Sequence, residues 1–300
     1  MPIFVIQFLG MLLFGVGLGV GYQRWIQPRA AALTAPARRL LLLVLATLLG
    51  GAIGSPVWWF DMPWAFAWDL PPLAARLLAA AGLSFVVVSF ITLERPTRRR
   101  CQLVVALLSM YLTPLVIAVL LFHRDRFDFS EPITYAFFAI AGSMTIAALG
   151  YLLRLPGGIP NEAPVAQTPH VSITGWLMLV AVIMLPWAGA LFLSDRGPLV
   201  HVWVWPGDLL TSRLIGVMLL TIGGGALISL RDEQTARLML AAVMTYGLAV
   251  ALAGIWNVLS GRSIPIVYVT VFSCVGIGSA ALLRRRPARD DQPTSNVARI

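Results

Sequence analysis

The sequence predicts an all-α integral membrane protein of nine transmembrane helices: one N-terminal helix followed by two parallel four-helix repeats. Three observations carry this expectation. Of 300 residues, 59% are hydrophobic and 12% charged, whereas about a quarter of an ordinary soluble domain is charged. Apolar runs close to the roughly 20 residues needed to cross hydrocarbon recur along the chain. The later part of the sequence also repeats the earlier part in order, first at the shift that carries Arg76 onto Arg213 and then, after short deletions, at smaller ones.

The expected spans are 3–22, 39–57, 72–93, 102–122, 132–153, 171–193, 208–230, 238–259 and 264–283. Breakers fall at or near their ends. Gln27-Pro28 follows the first span, Pro71-Pro72 opens the third and Arg95-Pro96 closes it. Glu131-Pro132 opens the fifth, and Pro156-Gly157-Gly158 follows it. Pro206-Gly207 precedes the seventh, and Ile264-Pro265 opens the ninth. Proline is tolerated in a helix's first turn, where its missing N–H breaks no bond.

The first span is not read as a cleaved signal peptide. No basic residue precedes it, and its own positive charges, Arg24 and Arg29, follow it. Gly15, Gly17, Gly19 and Gly21 form two overlapping G-x-x-x-G pairs there, which allow another helix to approach closely. The expected use is packing within the chain, with a helix–helix partner as the other possibility.

A net charge of +9 and a pI near 10.7 would point a soluble protein toward nucleic acid. Here the basic residues, all 22 of them Arg, cluster between apolar runs and read as topology signals, so no nucleic-acid partner is expected. With the C-terminal tail in the cytoplasm and the N-terminus outside, 16 of the 22 fall on the cytoplasmic side. The acids divide 6 inside to 7 outside, so the bias is one of Arg alone, as positive-inside sorting requires. The expected location is a bacterial cytoplasmic (inner) membrane. Cys101 and Cys274 sit at different depths, so neither a disulfide nor a metal site is expected from them.

At the repeat shift, Trp68, Leu73, Arg76, Leu77, Ile91, Leu93, Arg100 and Leu103 fall on Trp205, Leu210, Arg213, Leu214, Ile228, Leu230, Arg237 and Leu240. After a short deletion, Pro132-Ile133-Thr134-Tyr135 aligns with Pro265-Ile266-Val267-Tyr268. The expected organisation is therefore an N-terminal helix and loop (1–38), a first repeat (39–154), a cytoplasmic linker (155–170), a second repeat (171–284) and a tail (285–300). An even number of spans per unit gives both halves the same orientation, unlike inverted-repeat transporters.

The tryptophan-rich loop followed by L-x-x-R-L (Trp64, Trp68, Leu73, Arg76 and Leu77; Trp203, Trp205, Leu210, Arg213 and Leu214) resembles a set of uncharacterised bacterial multi-pass membrane proteins. The resemblance implies a multi-pass membrane fold and brings no activity with it. The halves differ at Pro206-Gly207, which align with Asp69-Leu70.

Arg76 and Arg213 are the charges placed inside spans, each near its helix N-terminus, where free N–H groups favour anions. Intramembrane charge is a functional hypothesis by default. Trp68 and Trp205 precede the arginines, and Tyr135 and Tyr268 begin other spans at the same expected depth. Two related outward pockets for a small anion or lipid headgroup are thus candidates. The competing reading is that Arg snorkels or pairs with Asp69 and Asp208 while the rings form an interfacial belt.

His123, Asp125, Asp128 and Glu131 are read as a solvated hairpin, because Arg124 and Arg126 interrupt the acids. No catalytic motif is present: G-x-S-x-G, H-E-x-x-H and the phosphate-binding and dinucleotide fingerprints are missing. No cofactor is expected. The first expectation is a non-enzymatic protein, either a permease-like carrier of a small anionic or amphiphilic solute or a subunit of a membrane complex. The alternative is a membrane-embedded transferase acting on a lipid-linked substrate.

Overall fold

Nine α-helices account for the fold of the computed structural model, which describes residues 3–66, 68, 70–159, 168–194, 208–262 and 264–285. They are α1 (Ile3–Gly21), α2 (Ala35–Trp59), α3 (Pro72–Glu94), α4 (Arg98–Phe122), α5 (Pro132–Leu153), α6 (Val171–Leu193), α7 (Leu209–Ser229), α8 (Glu233–Leu259) and α9 (Ile266–Arg284). Eight of them, α2 to α9, are long and apolar enough to cross a membrane. The protein is an all-α, multi-pass membrane protein.

Every expected span contains a helix, and 132–153 and 171–193 match residue for residue. Three helices begin a full turn or more early: α2, α4 and α8. Each is started by a polar cap ahead of its apolar run. Thr34 accepts from the Ala37 N–H at 3.4 Å, Thr97 from Arg100 at 3.3 Å and Asp232 from Thr235 at 3.1 Å. A cap supplies an acceptor for N–H groups that have none within the helix. Arg38, Arg39, Arg98 and Arg99 therefore ride on the first turns of helices rather than in loops.

At the centre, α3 packs on α8 and α4 packs on α7. Around them α2 covers α3, α6 covers α7, α5 covers α4 and α9 covers α8, while α1 lies on α2. Small residues let some of these backbones touch. A Cβ at Gly247 of α8 would stand 2.6 Å from the Gly276 nitrogen of α9, closer than any side chain tolerates. The α1 glycines divide by face: Gly17 and Gly21 meet Leu49 and Leu45 of α2, whereas nothing lies within 4 Å of a Cβ at Gly15 or Gly19.

Several buried hydroxyls bond to the carbonyl one turn back, and four of these bonds, in α3 and α7, form two pairs. Ser84 donates to Ala80 and Thr92 to Val88 in α3; Thr221 donates to Val217 and Ser229 to Gly225 in α7. The shift that carries Arg76 onto Arg213 carries each α3 donor onto an α7 donor and each acceptor onto an acceptor. Ser84 and Thr221 also line one narrow cavity between α3, α4, α7 and α8, together with Phe85 and Ile222.

One end of the bundle is tied by polar contacts. The Thr97 hydroxyl donates to Oε1 of Gln234 at 2.8 Å, and Arg99 pairs with Asp232. Trp25 donates to Glu94 at 2.9 Å, which anchors the chain leaving α1 to the end of α3. Arg29 and Arg237 donate to the Glu94 and Arg285 carbonyls, groups that helix ends leave without an internal partner.

Candidate functional site

Arg76 and Arg213 lie at the end opposite Thr97 and Gln234. Thr97 and Gln234 stand where α4 and α8 begin, and each arginine stacks on a ring where one of those helices finishes. Arg213 lies over Phe122 at 4.5 Å from the ring centroid, and Arg76 over Trp256 at 5.8 Å. Both contacts cross between the 39–154 and 171–284 segments. Each arginine is one turn into its helix, about 6 Å along the axis at about 1.5 Å per residue.

The local start of α7 is set by Asp208, whose carboxylate accepts from the Thr211 N–H at 3.2 Å and its hydroxyl at 2.5 Å. Asp208 therefore serves as the cap. Arg213 turns elsewhere: Nε donates to the Phe192 carbonyl at 3.2 Å, and Nη1 meets Nε2 of His123 at 3.0 Å. A guanidinium can only donate, so Nε2 accepts and His123 is neutral with its proton on Nδ1. Burial, first, and the Arg213 charge hold the His123 pKa below the ordinary histidine value, an effect Arg126 adds to while Asp125 and Asp208 oppose it. Arg213 thereby joins α4, α6 and α7.

Arg76 stands differently. The residue is only 7% exposed, and its Nε and Nη1 are buried without a hydrogen-bond partner. The charged groups acting on it are Asp61 and Arg262, yet no carboxylate among the described residues forms an ion pair with it. Both reach this end through similar turns. After α2, Met62 N–H bonds to Val57 and Asp61 N–H to Trp58; after α8, Arg262 N–H bonds to Asn257 and Gly261 N–H to Val258. Such turns need a left-handed residue, supplied by Asp61 at φ 54° and Gly261 at φ 75°.

The aromatic residues expected at the two pockets are dispersed. Trp68 sits in a ring cluster 5.0 Å from Phe127 and 5.4 Å from Phe137, and its buried Nε1 has no partner. Tyr135 is 60% exposed and meets Phe129 edge-on. Tyr268 is fully buried against Trp187 and Phe272. Trp205 and Asp69 lie outside the described residues. The structure thus places Trp256, not Trp68, against Arg76, and it adds His123 to Arg213. No local signal marks either partner, since each contact joins residues far apart in sequence, on α3 and α8 in one case and beside α4 and on α7 in the other.

In the hairpin between α4 and α5, Asp128 is committed to a turn, accepting from the Ser130 N–H at 2.8 Å and its hydroxyl at 2.6 Å. Among the described residues no cluster of three or more His, Cys, Asp or Glu has metal-binding geometry. Comparison with protein-family models, with curated proteins and with solved structures found no match.

Proposed function

We propose that this membrane protein is a permease-like carrier of a small anionic or amphiphilic solute, built from two parallel four-helix units. The observation that carries the reading is the seam between the two units, where a small void is lined by Ser84 and Thr221, residues related by the same shift as Arg76 and Arg213. The packing supports it too. Exchanging α2, α3, α4 and α5 with α6, α7, α8 and α9 turns the α3–α8 seam into the α7–α4 seam and each flanking pair into its counterpart. Carriers with repeated halves work by moving one half against the other around a site between them. Arg76 and Arg213 flank one mouth of the seam, and their positive charge draws anions toward it without either side chain being the transport site.

The orientation proposed is N-terminus outside and C-terminus in the cytoplasm, so that the arginine mouth faces outward. Reporter fusions after Arg39, Arg100, Glu162, Thr235 and Arg289 should all report cytoplasm. Transport is tested in proteoliposomes with chloride, phosphate, acetate and a short-chain alkyl phosphate as trial solutes. Uptake above that of protein-free vesicles, abolished by a crosslink between α3 and α8, is expected. Lack of flux for all four, or flux indifferent to the crosslink, would overturn the carrier reading.

A further inference from the structure

We propose that Arg76 and Arg262 hold the phosphate of an anionic phospholipid at the arginine end of the α3–α8 seam, with its acyl chains against the exposed end of α8. This goes beyond the carrier reading and does not depend on it, because the lipid would be a resident of the protein's outer surface and not its cargo.

The argument begins with an unmet demand. A buried guanidinium without an acceptor is costly, and arginines in membranes pair with a carboxylate, a carbonyl or a lipid phosphate. Arg76 is more than nine-tenths buried, and N–H groups on two of its nitrogens have no acceptor among the described residues. Its counterpart Arg213 has found a carbonyl and an imidazole, so of these two arginines the demand falls on Arg76.

The surroundings select the ligand. Arg262, exposed on the turn after α8 at this end of the bundle, adds a second cation whose charge acts on Arg76, and with Asp61 the three groups carry a net charge of +1. The Arg76 guanidinium stacks on Trp256, which is itself 42% exposed. On the same face of α8, Leu252, Ile255 and Leu259 are also exposed, Leu259 at 81%. A cationic patch beside an apolar strip matches an amphiphile, whose phosphate takes charge-assisted bonds while its chains cover the strip. A free anion would leave that strip unused. Trp at the boundary between the two is where an interfacial ring belongs.

The test is native mass spectrometry of the full chain in detergent, titrated with phosphatidylglycerol, with zwitterionic phosphatidylcholine and with inorganic phosphate. The expected result is retained phosphatidylglycerol on the unmodified protein and at least fivefold weaker retention in Arg76→Gln. Retention should fall two- to threefold in Arg262→Gln and stay unchanged in Arg213→Gln. Folding is checked by size-exclusion profile and helical circular dichroism. If Arg76→Gln fails that check, the exposed variants Arg262→Gln and Trp256→Ala decide. Equal retention of the two lipids, or phosphatidylglycerol binding unaltered in the Arg76 and Arg262 variants, overturns the proposal. So does a response to inorganic phosphate with none to the lipid, which would make the site one for a soluble anion.

Discussion

Thr97 donates its hydroxyl to the side-chain oxygen of Gln234, and the two residues stand 137 positions apart, the interval that relates Arg76 to Arg213. A residue touches its own counterpart only where a two-fold axis passes between them. The two-unit arrangement proposed above accounts for this bond: its axis would run along the bundle from the Thr97 end, past Ser84 and Thr221, to the level of the arginines.

That axis makes a distance prediction. In a protein with Cys101 and Cys274 replaced by Ser, Thr97→Cys with Gln234→Cys should be joined within one chain by a short bifunctional thiol reagent. Thr97→Cys with Leu259→Cys should not, because nearly the whole length of α8 separates Leu259 from Gln234, roughly 37 Å at about 1.5 Å per residue. Equal yields from the two pairs would refute the arrangement.

Asp232 has two duties, capping α8 and pairing with Arg99, whose side chain is 39% exposed. Asp232→Ala should lower stability by about 1–2 kcal/mol, the scale of a lost cap with a charged hydrogen bond. Arg99→Gln should cost under about 1 kcal/mol, as for other partly exposed pairs. Unfolding in detergent checks the order; a larger loss for Arg99→Gln contradicts it.

His123 predicts a pH dependence whose sign is fixed. Its pKa in the folded protein lies below the ordinary value of about 6.5, so on acidification the unfolded chain takes up the proton first. Stability should be fully present above that value and fall as pH drops from about 6.5 toward the lowered one. Thermal midpoints at pH 7.5 and 5.5 should differ more for the unmodified protein than for His123→Gln. An identical difference in both would show that the Arg213 contact does not depend on a neutral ring.

The α8–α9 contact can be tested with a single methyl. Gly247→Ala should destabilise by about 1–3 kcal/mol through overpacking against backbone, although alanine is the better helix former by about 1 kcal/mol. Gly142→Ala, where nothing lies within 4 Å, should be neutral or stabilising. If both variants shift alike, helix propensity and not the close approach sets the outcome.

How much of this was legible depended on the kind of signal. Pro132 at a helix start and the apolar run behind it marked α5 to the residue, because in a membrane the helix length follows hydrocarbon thickness. Thr34, Thr97 and Asp232 also carried local information, as capping residue types, but they sit beyond the apolar runs and hydropathy passes over them. Arg76 and Arg213 stood out by their rarity. Their partners did not: Trp256 and His123 become neighbours only when α3 meets α8 and α7 meets α4. Tyr135 and Tyr268 share a motif and end in opposite environments, since burial is decided by which neighbouring helix covers the face. Arg76 and Arg213 differ for the same reason.

The Arg99–Asp232 pair bears on how the halves find one another. Under the shift that relates Thr97 to Gln234, the earlier counterpart of Asp232 is Arg95, and the later counterpart of Arg99 is Ala236. Two copies of the 39–154 unit docked through this surface would set Arg99 against Arg95, a repulsion; two copies of 171–284 would leave Asp232 facing Ala236. Only the mixed pairing neutralises both charges. If the chain were cut within 155–170 and its pieces coexpressed, the charge pattern would favour mating of the two proposed units over self-pairing, a bias added to whatever cohesion the contact supplies.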